Sequence, residues 1–401
     1  MNTNLLALFW EGFELNSFQY LSADTLLISL KPAPAQPPCC SGCGQSTWLI
    51  HDTSVRRVRE RDLFQYRVWL EVPVRRVRCP HCGPRRERIG WLVGRQPLTQ
   101  AMVCWVESLV RLLPVKHVAD LLGLHWHTVK TIDYRRLQRE VPPANLSQVR
   151  RLIMDEFALY KGHRYATVAI CADTRQVLWI GQGRSREAVR PFFEWMGPDV
   201  CNRIEAVAMD MNTAMDLEVQ AHCPNARVVY DLFHVVAKYG REVVDRIRVD
   251  QANQLKADPV GRRAIKRSRW LLLRNRQNLN DQQAVKLDDL LAANKPLMTA
   301  YVLKAQLKEL WYAPNEAEAR RRWDEWFRLA QDSALKPLQQ FARRLKGYVE
   351  GIVSSACFQL NTSVLEGMNN RIKVIKRMAY GYRDNAYFFL KIKAAFPGKV
   401  R

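Results

Sequence analysis

Three acids far apart in the chain have the types and settings that phosphoryl-transfer chemistry needs. Asp155 follows the apolar run "RRLIM" and is itself followed by Glu156; Asp210 ends "RIEAVAMD"; Glu366 stands in "NTSVLEGMNNRIKVIKRM". Two carboxylates held close together repel, and burying both without compensation costs several kcal/mol. A divalent cation removes that cost. Two magnesium or manganese ions about 4 Å apart would activate a water or a 3′ hydroxyl and stabilise the leaving oxygen of a phosphodiester. Each acid also has a plainer reading. Asp155 could begin a turn or pair with Arg164, Asp210 could cap the helix after it, and Glu366 with Ser363 fits the S-x-x-E capping box.

A second constellation is made of thiols. Cys40 and Cys43 form one C-x-x-C, Cys79 and Cys82 another, each followed by glycine. Paired knuckles of this kind suit a structural zinc ion, bound tetrahedrally by thiolates. Cys39 and His81 stand close enough in sequence to replace a neighbour. Without an export signal, the ten cysteines are expected to be reduced or metal-bound.

The elements that must position the acids follow from periodicity. "RRLIMDEFAL", "RYATVAICAD" and "QVLWIGQGR" read as three consecutive strands, the last two joined by a turn at 173–175. "SREAVRPFFEWMG" reads as a helix capped by Ser185, with Val189, Phe192, Phe193 and Met196 inward. "RIEAVAMDMN" gives a strand ending at Asp210, then a helix from Thr213 and the strand "ARVVYDLFHV". This α/β order is that of a ribonuclease H-like core, with Asp155 and Asp210 on adjacent strands. The last helix carries Glu366, an apolar stripe of Leu365, Met368, Ile372 and Ile375, and a polar stripe with Asn369, Asn370, Lys373 and Arg377 that suits DNA.

Ahead of the core, "VRRVRERDLFQYRVWLEVPVRRVRC" alternates apolar residues with arginine between the knuckles, a hairpin with one basic face. "VKHVADLLGLHWHTVKTIDYRRL" has helix-turn-helix spacing: Ala119 permits close contact, Gly123 makes the turn, and Leu124, Val129 and Ile132 anchor the second helix. His125, His127, Thr128, Lys130 and Thr131 would then face a major groove, with Arg135 and Arg136 near the backbone. "VPPANLSQ" reads as a linker.

Charge agrees with a polyanionic partner. The formal net charge is +23, yet residues 151–240 carry 10 Lys and Arg against 11 Asp and Glu, while 367–401 carry 9 against 1. The acid is gathered where the metal chemistry is expected. Residues 241–350 are rich in helix formers, with 23 basic against 14 acidic residues, and their Trp270, Trp311, Trp323 and Trp326 are expected in a core. The start of the chain lacks the basic region and cleavage site of a secretory signal, and no long uncharged apolar run appears, so a cytoplasmic location near the nucleoid is expected.

The knuckles, the helix-turn-helix, "MDEFALYKGHRYATV", "AMDMN", "YDLFHVVAK" and "SVLEGMNNRIKVIKRMAYGYRD" together resemble the bacterial DDE transposases of the ISL3 insertion-sequence family, in order and over nearly the whole chain. The resemblance implies a catalytic triad of Asp155, Asp210 and Glu366, with Asp231 and His234 close by and the histidine able to contact the scissile phosphate. It further implies a ribonuclease H-like core interrupted by a helical insertion, and cleavage and strand transfer at inverted-repeat ends by a dimer or larger assembly on duplex DNA. The expected domains are a zinc module (1–95), a helix-turn-helix (96–142), the core (150–240), the insertion (241–350), and the returning core helix with a basic tail (351–401). A zinc-bearing transcription regulator and a nuclease that cuts without joining remain the alternatives.

Overall fold

The computed structural model describes residues 9–160, 162, 164–358, 360 and 363–399; the side chains of 363–366 are outside the description. The chain forms two compact units, Met1–Glu140 and Val141–Arg401.

The first unit is built on β1 (Phe13–Ser22), β2 (Thr25–Pro32), β3 (Ile50–Arg59), β4 (Arg67–Cys79) and β5 (Gly83–Arg86), in the order β1-β2-β4-β3 with β5 also on β4. The expected hairpin is β3 and β4, paired antiparallel from Ile50↔Val77 to Arg59↔Trp69. The sheet extends beyond it, because β1 and β2 join through a parallel β2 to β4 pairing. Alternate residues of β4, from Val68 to Val74, close a core with Trp10, Phe13 and Leu30.

The basic face is smaller than the alternation suggests, because Arg59 and Arg75 are buried. Arg75 donates from Nε and Nη2 to Glu87 at 3.0 and 2.7 Å. Arg59 donates to the Val68 carbonyl at 3.1 Å and pairs with Asp62. A buried guanidinium persists only when its donors are satisfied in this way.

Three helices complete the unit: α1 (Gln100–Leu109), α2 (Val115–Leu122) and α3 (Trp126–Glu140). Val118, Ala119, Leu122, Val129 and Ile132 form their shared core. Gly123 ends α2 at φ 62°, a left-handed conformation that favours glycine. A Cβ there would also meet Arg67 Cζ at 3.2 Å.

The second unit opens on residues 141–149, which lie against the sheet: Gln176 donates to the Pro143 carbonyl at 3.1 Å and accepts from Asn145 N at 3.1 Å. Its strands are β6 (Arg151–Tyr160), β7 (Arg164–Cys171), β8 (Val177–Gln182), β9 (Ala206–Met209) and β10 (Arg227–Tyr230), ordered β10-β9-β6-β7-β8. β6, β7 and β8 are antiparallel neighbours, whereas β9 runs parallel to β6 and β10 parallel to β9. The parallel pairs are connected through α4 (Arg186–Met196), the short α5 (Pro198–Cys201) and α6 (Thr213–His222).

α7 (Leu232–Tyr239) runs through a π-helical turn, Gly240–Val244, into α8 (Asp245–Gln254). The helical region continues with α9 (Pro259–Arg267), α10 (Arg269–Leu273), α11 (Asp281–Ala293), α12 (Lys295–Glu309), α13 (Glu316–Asp332), α14 (Lys336–Leu345) and α15 (Val349–Val353). The chain then returns to the sheet with α16 (Ser363–Met378) and α17 (Asn385–Ala395).

Strand alternation divides the sheet between two cores. Leu152, Met154, Val207 and Met209 face Val189, Phe192, Phe193 and Met196 of α4, continuous with the helical region. Ile153, Phe157, Leu159, Ala206 and Ala208 face Met368 and Ile372 of α16 and Phe388 of α17. Trp323 and Trp326 are core residues and Trp311 is half-buried, its Nε1 donating to the Tyr230 carbonyl at 2.9 Å. Trp270 departs from expectation: it is 65% exposed, because α10 buries only Leu272. Among the described residues, no helix is long and apolar enough to cross a membrane.

Candidate active site and metal centre

The acids are set by register. β6 and β9 pair from Arg151↔Ala206 to Ile153↔Ala208, so two more residues bring Asp155 opposite Asp210. β10 and β9 pair up to Tyr230↔Met209, so one more residue brings Asp231 beside Asp210. Asp231 N donates to the Met209 carbonyl at 2.9 Å, holding the row together past the strand ends. Asp155 shares the parity of Ile153 and Phe157, and Asp210 that of Ala206 and Ala208, so both lie on the sheet face covered by α16. Glu156, one residue on, takes the opposite face.

The neighbours of each acid differ accordingly. Asn369 of α16 donates Nδ2 to Asp155 Oδ2 at 2.5 Å, and Glu156 N donates to Asp155 Oδ1 at 2.7 Å. Asp155 is therefore engaged with α16 and its own backbone, not with Arg164. The cap of α6 is Asn212, whose Oδ1 accepts from Ala214 N at 2.9 Å, so Asp210 does not serve as that cap. His234 sits between two acids, Nδ1 at 3.7 Å from Asp210 and Nε2 at 3.7 Å from Asp231. Asp231 caps α7 through Phe233 N at 2.9 Å. On the other face Glu156 accepts from Asn212 Nδ2 and pairs with Arg184 at 3.5 Å. Arg184 in turn lies 4.4 Å above the Tyr165 ring.

The electrostatics show a site short of positive charge. Burial pushes the Asp155 carboxyl above its ordinary range and the Asp210 charge adds to it, against the hydrogen bonds from Glu156 N and Asn369. Burial also raises Asp210, with His234 opposing and Asp231 reinforcing. Glu156 is raised by burial and by Asp210 despite Arg184. Hard oxygen donors whose charges are disfavoured until a cation arrives are the donor set that magnesium or manganese takes.

Glu366 lies in α16 one turn before Asn369, but its side chain, like those of Ser363 and Leu365, is outside the described residues. Lys373 and Arg377 are exposed on the same helix, and Lys376 donates to the Ala158 carbonyl at 3.1 Å. Sequence reasoning missed the pairing of Asn369 with Asp155 and of Asn212 and Arg184 with Glu156. The one local signal was the three-residue spacing of Asn369 from Glu366, which sets them a helical turn apart.

The thiols converge without ambiguity. The sulfurs of Cys40, Cys43, Cys79 and Cys82 all lie within 4.8 Å of one another, and Cys43 and Cys79 are 3.4 Å apart. Tetrahedral zinc with bonds of about 2.3 Å places its sulfurs about 3.8 Å apart, so the group fits. The Cys39 thiol is turned to the Gly44 carbonyl at 2.9 Å, and His81 is exposed outside the group. Backbone amides of Cys43 and Gly42 lower the Cys40 thiol to about 7, whereas the crowding sulfur of Cys43, with burial, raises Cys82 to about 12.

His125, just before α3, and His127 and Arg135 on it are exposed, while Thr128, Lys130 and Thr131 are half-buried. His125 and His127 flank the exposed Trp126, ring centroids 5.9 and 5.7 Å away. Arg136 overturns its expected backbone role: it is buried and donates to Asp133 at 2.6 Å and Glu140 at 2.7 Å. Helical periodicity turns it inward while Arg135 stays out.

Comparison with known proteins defines the class. The DDE transposase profile of the ISL3 family matches residues 152–392, and the profile for the zinc-finger of transposases IS204, IS1001, IS1096 and IS1165 matches residues 36–82. The transposase for insertion sequence element IS1001 of Bordetella parapertussis is 54% identical over 395 residues, covering 98% of this chain and 97% of that one. The transposase for insertion sequence element IS1557 of Mycobacterium tuberculosis is 26% identical over 382 residues, covering 90% and 86%. The chain belongs to the ISL3 family of transposases, DNA-processing enzymes with an amino-terminal zinc ribbon.

Proposed function

We propose that this transposase binds the inverted-repeat ends of an insertion sequence and carries out strand cleavage and 3′-hydroxyl strand transfer with Asp155, Asp210 and Glu366. The observation that carries the reading is the β6–β9 register, which from Ile153↔Ala208 directs Asp155 and Asp210 to the same end of the sheet face that α16 covers, together with the Asn369 to Asp155 hydrogen bond. The helix that reaches Asp155 is the one that carries Glu366. The sheet order, three antiparallel strands followed by two parallel ones, supports a ribonuclease H-like core.

Divalent cations held by these acids would activate a water or a 3′ hydroxyl and stabilise the departing oxygen. The residues' own part is placement. Asp155 and Asp210 offer adjacent oxygens from a rigid sheet, and Asn369 keeps the Asp155 carboxylate turned toward α16. His234, between Asp210 and Asp231, is placed to donate a hydrogen bond to a phosphate oxygen. The cations at Lys373 and Arg377 would hold the DNA backbone along α16. In the first unit, α2, the left-handed Gly123 and α3 support a helix-turn-helix, with His125, His127, Thr128 and Lys130 toward bases and Arg135 toward phosphate.

The test is to incubate protein, magnesium, an end-containing duplex and a supercoiled target. Strand-transfer products that vanish with Asp155→Asn support the proposal. Cleavage without joining favours a nuclease, and neither product favours a regulator.

A further inference from the structure

We propose that α9 and the start of α10 form a second grip on duplex DNA, directed at its phosphate backbone. The inference rests on the reading that the chain handles DNA, and adds a contact outside the acidic row and the recognition helix. α9 carries Arg262, Arg263, Lys266 and Arg267 in nine residues. At 100° per residue the exposed Arg263, Lys266 and Arg267 fall in an arc of about 100° on the side away from Ile265, the residue the helix buries, whereas Arg262 lies beside Ile265 and is half-buried with its Nε inside.

What separates this face from an ordinary solvated one is the lack of compensation. α13 has three consecutive arginines, but each is ion-paired: Arg320 to Glu350 at 2.9 Å, Arg321 to Glu318 at 2.8 Å, Arg322 to Glu318 at 2.7 Å. Among the described residues, none of the three exposed α9 cations, Arg263, Lys266 and Arg267, has an acidic partner. Like charges three and four residues apart on a helix are mildly destabilising, so the arrangement costs stability that an external anion would return.

The helix is also held firmly. Asp258 caps it through Val260 N and Gly261 N at 3.1 and 3.0 Å, and Arg248 of α8 donates to the Lys266 carbonyl at 2.9 Å. Just beyond it the exposed Trp270 lies 5.3 Å below the Arg269 guanidinium, which is bonded to Asp245 at 2.8 Å. A fixed cationic face ending in an exposed indole, whose ring packs on a sugar and whose N–H donates to phosphate, matches the surface of a duplex backbone.

The test uses the full-length protein and its Arg263→Gln, Lys266→Gln, Arg267→Gln triple variant on two labelled duplexes of equal length, one an element end and one of random sequence. Each phosphate contact contributes about 0.9 to the slope of log affinity against log salt, so the slope should fall by about 2 to 3 on both duplexes. The melting temperature should be unchanged or slightly raised, since the substitutions remove like-charge repulsion on the helix. A slope equal to that of the wild type overturns the proposal. So does an unchanged slope with altered self-association in the absence of DNA, which would make the face a contact between copies of the chain. Cleavage that survives Asp155→Asn would instead sink the proposed chemistry while leaving this contact standing.

Discussion

Replacing Asp210 by asparagine should make the metal-free protein more stable. Neighbouring strands lie about 4.8 Å apart, and two unit charges at that distance repel by about 3 kcal/mol at an effective dielectric of 20. Among the described residues the Asp210 carboxylate accepts no hydrogen bond, and the His234 ring approaches it only to 3.7 Å. The substitution therefore removes repulsion from Asp155 and Asp231 and loses little. Because the partly exposed Asp210 side chain is screened by solvent, we expect only part of that repulsion, a gain of about 1 to 2 kcal/mol near neutral pH, or about 2 to 6 °C for a unit of this size.

The sign with pH follows from the raised carboxyls. A carboxyl raised on folding gives stability that is full below the unfolded aspartate value and is lost as pH rises through the folded one. The gap between variant and wild type should therefore close in acid and open toward neutral pH. Manganese should reverse the ranking, since an ion at 100 times its dissociation constant stabilises the wild type by about 2.7 kcal/mol and the variant far less. The assay is calorimetry with and without manganese at several pH values. A variant that melts at or below the wild type in chelator, with both responding equally to manganese, would refute the reasoning.

Further outcomes follow from other contacts. Asn369→Ala should raise the manganese concentration needed for DNA cleavage about 10- to 100-fold, as loss of an outer-shell partner does, while Asn370→Ala leaves it unchanged. Cys79→Ser, or a strong chelator, should abolish one zinc per chain in native mass spectrometry and expose the knuckles to hydrogen exchange, while the sheet around Leu70 stays protected by its own core. Glu218 is buried beneath Arg186 at 2.7 Å and Arg190 at 3.2 Å, and despite burial their hydrogen bonds hold its carboxyl below the usual range. Glu218→Gln should cost about 2 kcal/mol, less than the roughly 3 to 5 of a fully buried pair because the arginines stay half in water. Since the carboxyl is lowered, that difference should be present above the unfolded glutamate value and vanish as pH falls through the folded one, read as converging denaturation midpoints.

How far the sequence carried these conclusions depended on the range of each interaction. The C-x-x-C spacing is local, so the thiol pairs could be read directly, but the choice of Cys40 over Cys39 needed the turn that sends Cys39 to the Gly44 carbonyl. The strands around Asp155 and Asp210 were visible in their apolar runs, and alternation alone separates Asp155 from Glu156. Knowing which of the two faces α16 required the bond to Asn369, which spans 214 positions that no window covers. Arg135 and Arg136 look alike in sequence until Asp133 and Glu140 claim the second. Trp270 was expected inside because tryptophan usually is, yet the short α10 has only Leu272 to anchor it.

The central claim is that Asp155, Asp210 and the start of α16 surround a common cation site. Replacing magnesium with ferrous iron and adding ascorbate and peroxide cuts a polypeptide where it lies near the bound ion, so the fragments report the site without any DNA. The account predicts cuts beside Asp155, Asp210 and Glu366, suppressed by excess magnesium and absent in Asp210→Asn. Cuts confined to other segments, or a pattern that Asp210→Asn leaves intact, would contradict it.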